Sequence, residues 1–146
     1  MSYLPIVEGS MVATEFFATG GSVNNAAVVW DSSTKRSTAS SSVSVDGSGN
    51  ITLPKDAAYW LIVNIDITRS SALNALRFEW FRGGVALTTE DAASLAVLSS
   101  GSSTSNLLAQ MVVEAVDEQV VQLKETSGNT QTISSNMSLL ILEVSR

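Results

Sequence analysis

Gly49-Asn-Ile-Thr-Leu-Pro-Lys-Asp-Ala-Ala-Tyr-Trp-Leu-Ile-Val-Asn-Ile-Asp-Ile-Thr68 reads as a turn, a short strand, a proline corner and a long strand in one continuous piece. From Tyr59 onward every odd position is apolar: Tyr59, Leu61, Val63, Ile65 and Ile67. The even positions run Trp60, Ile62, Asn64, Asp66 and Thr68. A period of two in β-branched and aromatic residues marks a strand, because successive side chains point to opposite faces. The odd face therefore belongs to a core. The even face begins apolar at Trp60 and Ile62 and then turns polar, so one end of the outer surface needs cover as well. Pro54 has no N–H for a ladder and belongs at a bend between strands.

The 146 residues suffice for one well-packed domain and are too few for two ordinary ones. Charged residues make up 15%, against roughly a quarter in average soluble proteins; Ser, Thr, Ala and Val fill the difference. No run approaches the ~20 apolar residues that span a bilayer, so no membrane partner is expected. Met1-Ser-Tyr-Leu-Pro5 lacks the basic-then-apolar order of a secretion signal. Cysteine and histidine are both absent. That removes disulfides, thiolate zinc sites, cysteine nucleophiles and histidine triads, and it fits folding in a reducing cytoplasm. The net charge of −6 is dispersed, with Lys35-Arg36 the one basic pair, so nucleic acid is not an expected partner. No cofactor is expected.

Residues 1–25 read as an N-terminal arm, broken into short pieces by Gly9-Ser10, Gly20-Gly21 and Asn24-Asn25. Ile6, Met11, Val12, Phe16 and Phe17 make it too apolar for a solvated tail. Residues 26–146 read as a single domain. Ala26 to Trp30 is a first strand, and the serine-rich run that follows is a loop or a solvated edge carrying Val43 and Val45. Asp46-Gly-Ser-Gly-Asn50 is a turn on local chemistry. It has too few oxygen donors for a calcium loop, which also needs a distal glutamate. Leu73 to Phe81 is a strand, and Gly83-Gly84 closes a hairpin to Val85-Ala-Leu87. Thr88 with Asp91 would cap a short helix, while Ser94 to Leu98 would equally make a strand. Leu107 to Val116 and Val120 to Glu125 are strands around an acidic turn, and Met137 to Val144 is the last strand.

That last strand is apolar on both faces, with Leu140, Leu142 and Val144 on one and Leu139 and Ile141 on the other. In a two-sheet sandwich the facing sheet covers one of these faces, and the second needs a partner, most simply another copy of the chain. Short strands with turns roughly every ten residues specify an all-β, antiparallel β-sandwich.

Gly49 to Ile62 resembles the signature of the jelly roll shared by tumour necrosis factor and the globular head of complement, in which a proline and then a tyrosine open a core strand. Leu76 to Gly84 resembles the family's next strand and hairpin, Met111 to Leu123 its paired strands around an acidic turn, here Val116-Asp117-Glu118, and Met137 to Val144 its terminal strand, so the likeness covers about residues 43–146. Ala58 stands where the family usually has glycine, and Met137, Leu139 and Leu140 replace its terminal aromatics. The resemblance implies a homotrimer with the terminal strand near the threefold axis; Leu139, Ile141, Trp60 and Ile62 are the expected interface residues. Similar jelly rolls serve bacteriophages as capsid decoration proteins and fibre heads. The implied role is a trimeric cement protein on the virion's capsid surface, assembled in the host bacterial cytoplasm. Its partners would be itself and the major capsid protein, the arm residues Phe16, Phe17, Ile6, Met11 and Val12 making the anchor. The absence of a heptad seam or Gly-X-Y shaft favours this over the alternative, a receptor- or glycan-binding head of a tail fibre or spike. That alternative would use Trp30, Trp60, Trp80 and Tyr59, whose alternation in strands favours core or interface instead. Enzyme activity is not expected: Asp117-Glu118 and Glu90-Asp91 are adjacent, so in strands each pair would point to opposite faces.

Overall fold

The computed structural model describes residues 11–69, 75–87, 96–98 and 104–145. They form thirteen strands: β1 Met11–Ala18, β2 Gly21–Val23, β3 Trp30–Ser37, β4 Ser44–Val45, β5 Ile51–Leu53, β6 Ala57–Arg69, β7 Leu76–Arg82, β8 Val85–Ala86, β9 Ala96–Leu98, β10 Thr104–Ala115, β11 Gln119–Glu125, β12 Gln131–Ile133 and β13 Ser138–Ser145. Two antiparallel sheets face each other. The first runs β2-β12-β6-β13-β1-β3, with β10 on the free edge of β6. The second runs β4-β5-β11-β7-β8, with β9 also on β7.

β6 organises the first sheet as its period of two requires. Tyr59, Leu61, Val63, Ile65 and Ile67 are all buried between the sheets. They meet Ile51 and Leu53 of β5, Leu76, Phe78 and Trp80 of β7, and Val121 and Leu123 of β11. Pro54 sits between β5 and β6, and its carbonyl accepts the Tyr59 hydroxyl at 2.7 Å. The chain can turn tightly before β5 because Gly49 has φ +82°; a Cβ there would stand 2.5 Å from the Val28 carbonyl oxygen. The Gly83-Gly84 hairpin joins β7 to β8 with both glycines at positive φ.

Four expectations change. Residues 11–25 are not an arm: β1 lies in the first sheet, paired with β13 on one side and β3 on the other. Its alternation puts Val12, Thr14, Phe16 and Ala18 inside and Met11, Ala13, Glu15 and Phe17 outside. Phe16 and Val12 are therefore buried in the chain's own sandwich rather than free to anchor elsewhere. The domain accordingly does not begin at residue 26. Second, the strand expected at 26–30 begins at Trp30. Before it the backbone is drawn to the other sheet, where Val28 N–H donates to Leu123 O at 2.8 Å and Glu125 N–H to Ala26 O at 2.9 Å.

Third, Leu139 and Ile141 do not face a partner. β13 pairs with β6 so that Leu139 stands opposite Val63 and Ile141 opposite Leu61, and directly opposed residues share a face. Both are fully buried in the core. Fourth, the turn at Val116-Asp117-Glu118 does not close a hairpin. β10 pairs with β6 and β11 with β5 and β7, so this turn carries the chain from one sheet to the other. Residues 88–95, including Glu90-Asp91 and the helix expected there, lie outside the described residues, whereas Ala96–Leu98 is a strand on β7.

Candidate assembly face

The two sheets differ in what they turn outward. On the second, Arg77 pairs with Glu79 at 3.0 Å, and the Lys124 ammonium lies 4.5 Å from the centre of the Phe81 ring. These are the charged, solvated contacts of a finished surface.

On the first sheet, register builds apolar rows across β10, β6, β13 and β1. Val112 stands opposite Trp60, Trp60 opposite Leu142, and Leu142 opposite Ala13. The next row carries Gln110, Ile62, Leu140 and Glu15, and the one before it Glu114, Ala58, Val144 and Met11. Leu108 and Phe17 belong to a fourth row with Asn64 and Ser138 between them. Met11 is 60% exposed, Leu108 54%, Val112 51%, Trp60 44% and Val144 43%, so a contiguous apolar patch meets water. Large patches of this kind on soluble proteins mark interaction surfaces. The Trp60 Nε1–H donates to Gln110 Oε1 at 3.1 Å, which holds the ring in place on the face.

Two hollows open on this side. One, of about 270 Å³, is lined by Met11, Ala58, Tyr59, Trp60, Val112, Leu142 and Val144. The other, of about 290 Å³, is lined by Ala13, Glu15, Arg36, Ser37, Thr38 and Leu140, and gives the apolar centre a polar rim.

Of the expected interface residues, Trp60 and Ile62 lie on this face and Leu139 and Ile141 do not. Of the expected anchors, Met11 and Phe17 lie on it, Phe16 and Val12 are inside, and Ile6 is outside the described residues. Leu140, Leu142 and Val144, one of the two apolar faces of the last strand, complete the face together with Leu108 and Val112, which the sequence reading does not single out. The unbroken apolar character of Leu107–Val113 apart from Gln110 carried the signal for the last two, since a strand with one solvated face alternates. Trp30, Trp80 and Tyr59, the other aromatics considered for sugar binding, are buried.

Two acidic groups serve local structure, Asp46 and Glu125. Asp46 accepts N–H from Ser48 and Asn50 on one oxygen and the Asn50 amide on the other. The Asn50 side chain, then the Ser48 backbone, hold its pKa below the ordinary carboxylate value. This carboxylate is occupied in closing its turn. Glu125 is fully buried, accepting from the backbone N–H of Asn25 at 3.1 Å and of Ser127 at 2.7 Å, and from the Ser127 hydroxyl. It ties the turn before β3 to the turn after β11. Among the described residues no group of three histidine, cysteine, aspartate or glutamate side chains could hold a metal ion.

Tyr59 supplies a pH signature. Its burial, and next the negative charge of Glu143 opposite it on β13, push its pKa up to about 12. An unfolded tyrosine ionises near pH 10. Above about pH 10 the unfolded chain therefore loses a proton that the folded chain keeps. The stability due to the neutral ring is complete below that pH and falls by about 2–3 kcal/mol as pH rises to 12. Urea melts across this range should show a shallower alkaline decline for Tyr59→Phe than for the natural chain; equal slopes would contradict this origin.

No protein-family model matches the chain, and no curated protein does. Solved structures are similar to it in shape. Murine APRIL at pH 8.0 superposes with a TM-score of 0.65 at 10% identity, covering 92% of this chain and 98% of that one. The pH 5.0 structure of murine APRIL gives 0.67 at 11% identity over the same shares. The Eiger TNF from S. frugiperda gives 0.60 at 13% identity, covering 94% of each chain. With two facing antiparallel sheets ordered around β6, and these neighbours of the tumour necrosis factor family matching over at least 92% of the chain, the chain has the tumour-necrosis-factor-like jelly-roll fold.

Proposed function

We propose that the chain is a non-catalytic structural protein that works as a homotrimer and decorates a bacteriophage capsid shell. The observation that carries the assembly is the contrast between the sheets: the outer face of the second mixes Arg77, Glu79 and Lys124 with Phe81 and the exposed Val85 and Val120, while that of the first is an apolar field around Ile62 and Leu140 with a polar rim. A second copy of the chain is the simplest cover for such a field. Trp60 and Ile62 keep the interface role expected of them, and Leu140 and Leu142 replace Leu139 and Ile141.

The decoration role follows from what remains outside the assembly face. Three of the four aromatic residues considered for glycan recognition are in the core and Trp60 is on the assembly face, which favours a shell-binding role over a sugar-binding head. Because β1 belongs to the sandwich, contact with the major capsid protein falls to the exposed loops, of which the serine-rich stretch 38–42 is one. Three copies of a weak loop contact would bind a lattice tightly through multivalency.

Light scattering is expected to give three times the 15.4 kDa chain mass, and Ile62→Asp/Leu140→Asp is expected to give a folded monomer. A monodisperse natural monomer at micromolar concentration would refute the trimer. Co-sedimentation with undecorated phage capsids tests the second half, and a trimer that leaves every capsid preparation bare would refute decoration.

A further inference from the structure

Building on the decoration role, on which it rests, we propose that Lys35 is a positioning residue that holds the serine-rich loop at residues 38–42 in one shape for contact with the capsid shell. A run as polar as Ser37-Thr-Ala-Ser-Ser-Ser42 buries too little to order itself, and by composition it belongs with mobile segments. Here it is pinned at both ends and from the side. Thr38 extends the pairing of β3 with β1, its N–H donating to Ala13 O and its hydroxyl accepting from Ala13 N–H, each at 3.0 Å. The Ser37 hydroxyl donates to Ala39 O. At the far end Val43 is fully buried, and its N–H donates to Ser41 Oγ at 3.2 Å. From the side, the Lys35 ammonium reaches over from β3 and donates to Ser41 O at 2.7 Å and to Val43 O at 2.6 Å. Charge-assisted bonds are the strong ones of their kind.

The fold stands without this clip. β3 is held by its ladder to β1, β4 by its ladder to β5, and Val43 lies in the core cluster. What the two Lys35 bonds add is the path of residues 39–42, where the chain crosses from the edge of the first sheet to the edge of the second. Ala39, Ser40 and Ser42 are exposed on that path, which offers hydroxyls and peptide groups but no charge and no large apolar side chain. Its partner is therefore a polar, hydrogen-bonding protein surface. Hydrogen bonds are strict about geometry, and a loop already in its bound shape loses no affinity to ordering. The two hollows of the assembly face are lined without Lys35 or residues 39–42, which stand apart from the contact between copies.

Two full-length variants test this. Lys35→Met keeps the stem and removes the donors, while Ser40→Glu/Ser42→Glu leaves the clip and spoils the surface it presents. In Lys35→Met the Val43 amide should exchange with deuterium about tenfold faster, with the Val63 amide of β6 unchanged. Its light scattering should match the natural chain, and its Tm should lie within about 4 °C. Co-sedimentation with undecorated phage capsids should show affinity lowered about tenfold or more, since each of the trimer's loops must then be ordered on binding. Ser40→Glu/Ser42→Glu should keep the natural exchange rate at Val43 and lose at least as much capsid affinity. Unchanged exchange at Val43 in Lys35→Met would overturn the clip. Unchanged capsid affinity in either variant would overturn the loop's role and leave decoration standing. A larger fall in Tm for Lys35→Met would make the ammonium a support of the fold, and would overturn the proposal as well. A natural chain that leaves the capsids bare refutes decoration itself, and this proposal with it.

Discussion

A chain shortened to begin at Ala26 is expected to have no cooperative thermal transition and to aggregate. The deletion removes β1, and with it two ladders: Met11–Phe17 against β13 and the pairing with β3. β13 would be left with an open edge in the middle of its sheet, which is a template for association between chains. β3 would lose its only ladder among the described strands. The core would lose Phe16, fully buried, together with Val12 and Ala18. One such aromatic truncation alone costs about 3–5 kcal/mol, against a total stability of about 5–15 kcal/mol for an ordinary domain. A chain beginning at Gly9 keeps β1 whole and is expected to fold. Far-ultraviolet circular dichroism during heating distinguishes the two; a cooperative β-sheet melt for the Ala26 chain would show that β1 is an accessory strand.

The long strand was legible because its pattern is local. Every odd position from Tyr59 to Ile67 is apolar, and burial of each follows from the pleat alone. Legibility fails where the deciding information is a partner strand. Met137 to Val144 is apolar on both faces, so pattern alone cannot say which face turns inward; the pairing Ile141 with Leu61 decides it, and register is not written in either strand by itself. The segment 11–18 is illegible for a related reason. Gly20-Gly21 and Asn24-Asn25 look like breaks that isolate an arm, and Thr14 and Glu15 interrupt the apolar residues. In the fold Thr14 is buried, its hydroxyl hydrogen-bonded to that of Ser37, so a polar residue occupies an inward position that composition assigns to solvent. The acidic turn at 116–118 resembles a hairpin by length alone. Whether such a turn closes a hairpin or crosses to the facing sheet depends on the strands already in place. The apolar outer face was half legible, since Trp60 and Ile62 announce it and the rows that extend it depend on register.

Replacing Trp80 by alanine is expected to destabilise the fold by about 3–5 kcal/mol, while the same change at the adjacent Phe81 should cost under about 1 kcal/mol. Trp80 is 1% exposed on the inner face of β7, opposite Leu123 of β11, among the largest side chains of the core. Its indole N–H has no hydrogen-bond partner among the described residues. The ring therefore stabilises through packing and burial, and alanine leaves a cavity that a two-sheet core, held by ladders on both sides, cannot close fully. Phe81 points the other way. It is partly exposed on the outer face, where Lys124 lies over its ring, and an exposed contact of that kind contributes about 0.5–1 kcal/mol. For a chain of this length the Trp80 loss corresponds to a fall in Tm of roughly 10–15 °C. The comparison is sharp because a one-residue slip of β7 would exchange the two rings. Equal losses, or a larger loss at Phe81, would mean that β7 turns its other face to the core, and the pairing of Leu123 with Trp80 would have to be wrong.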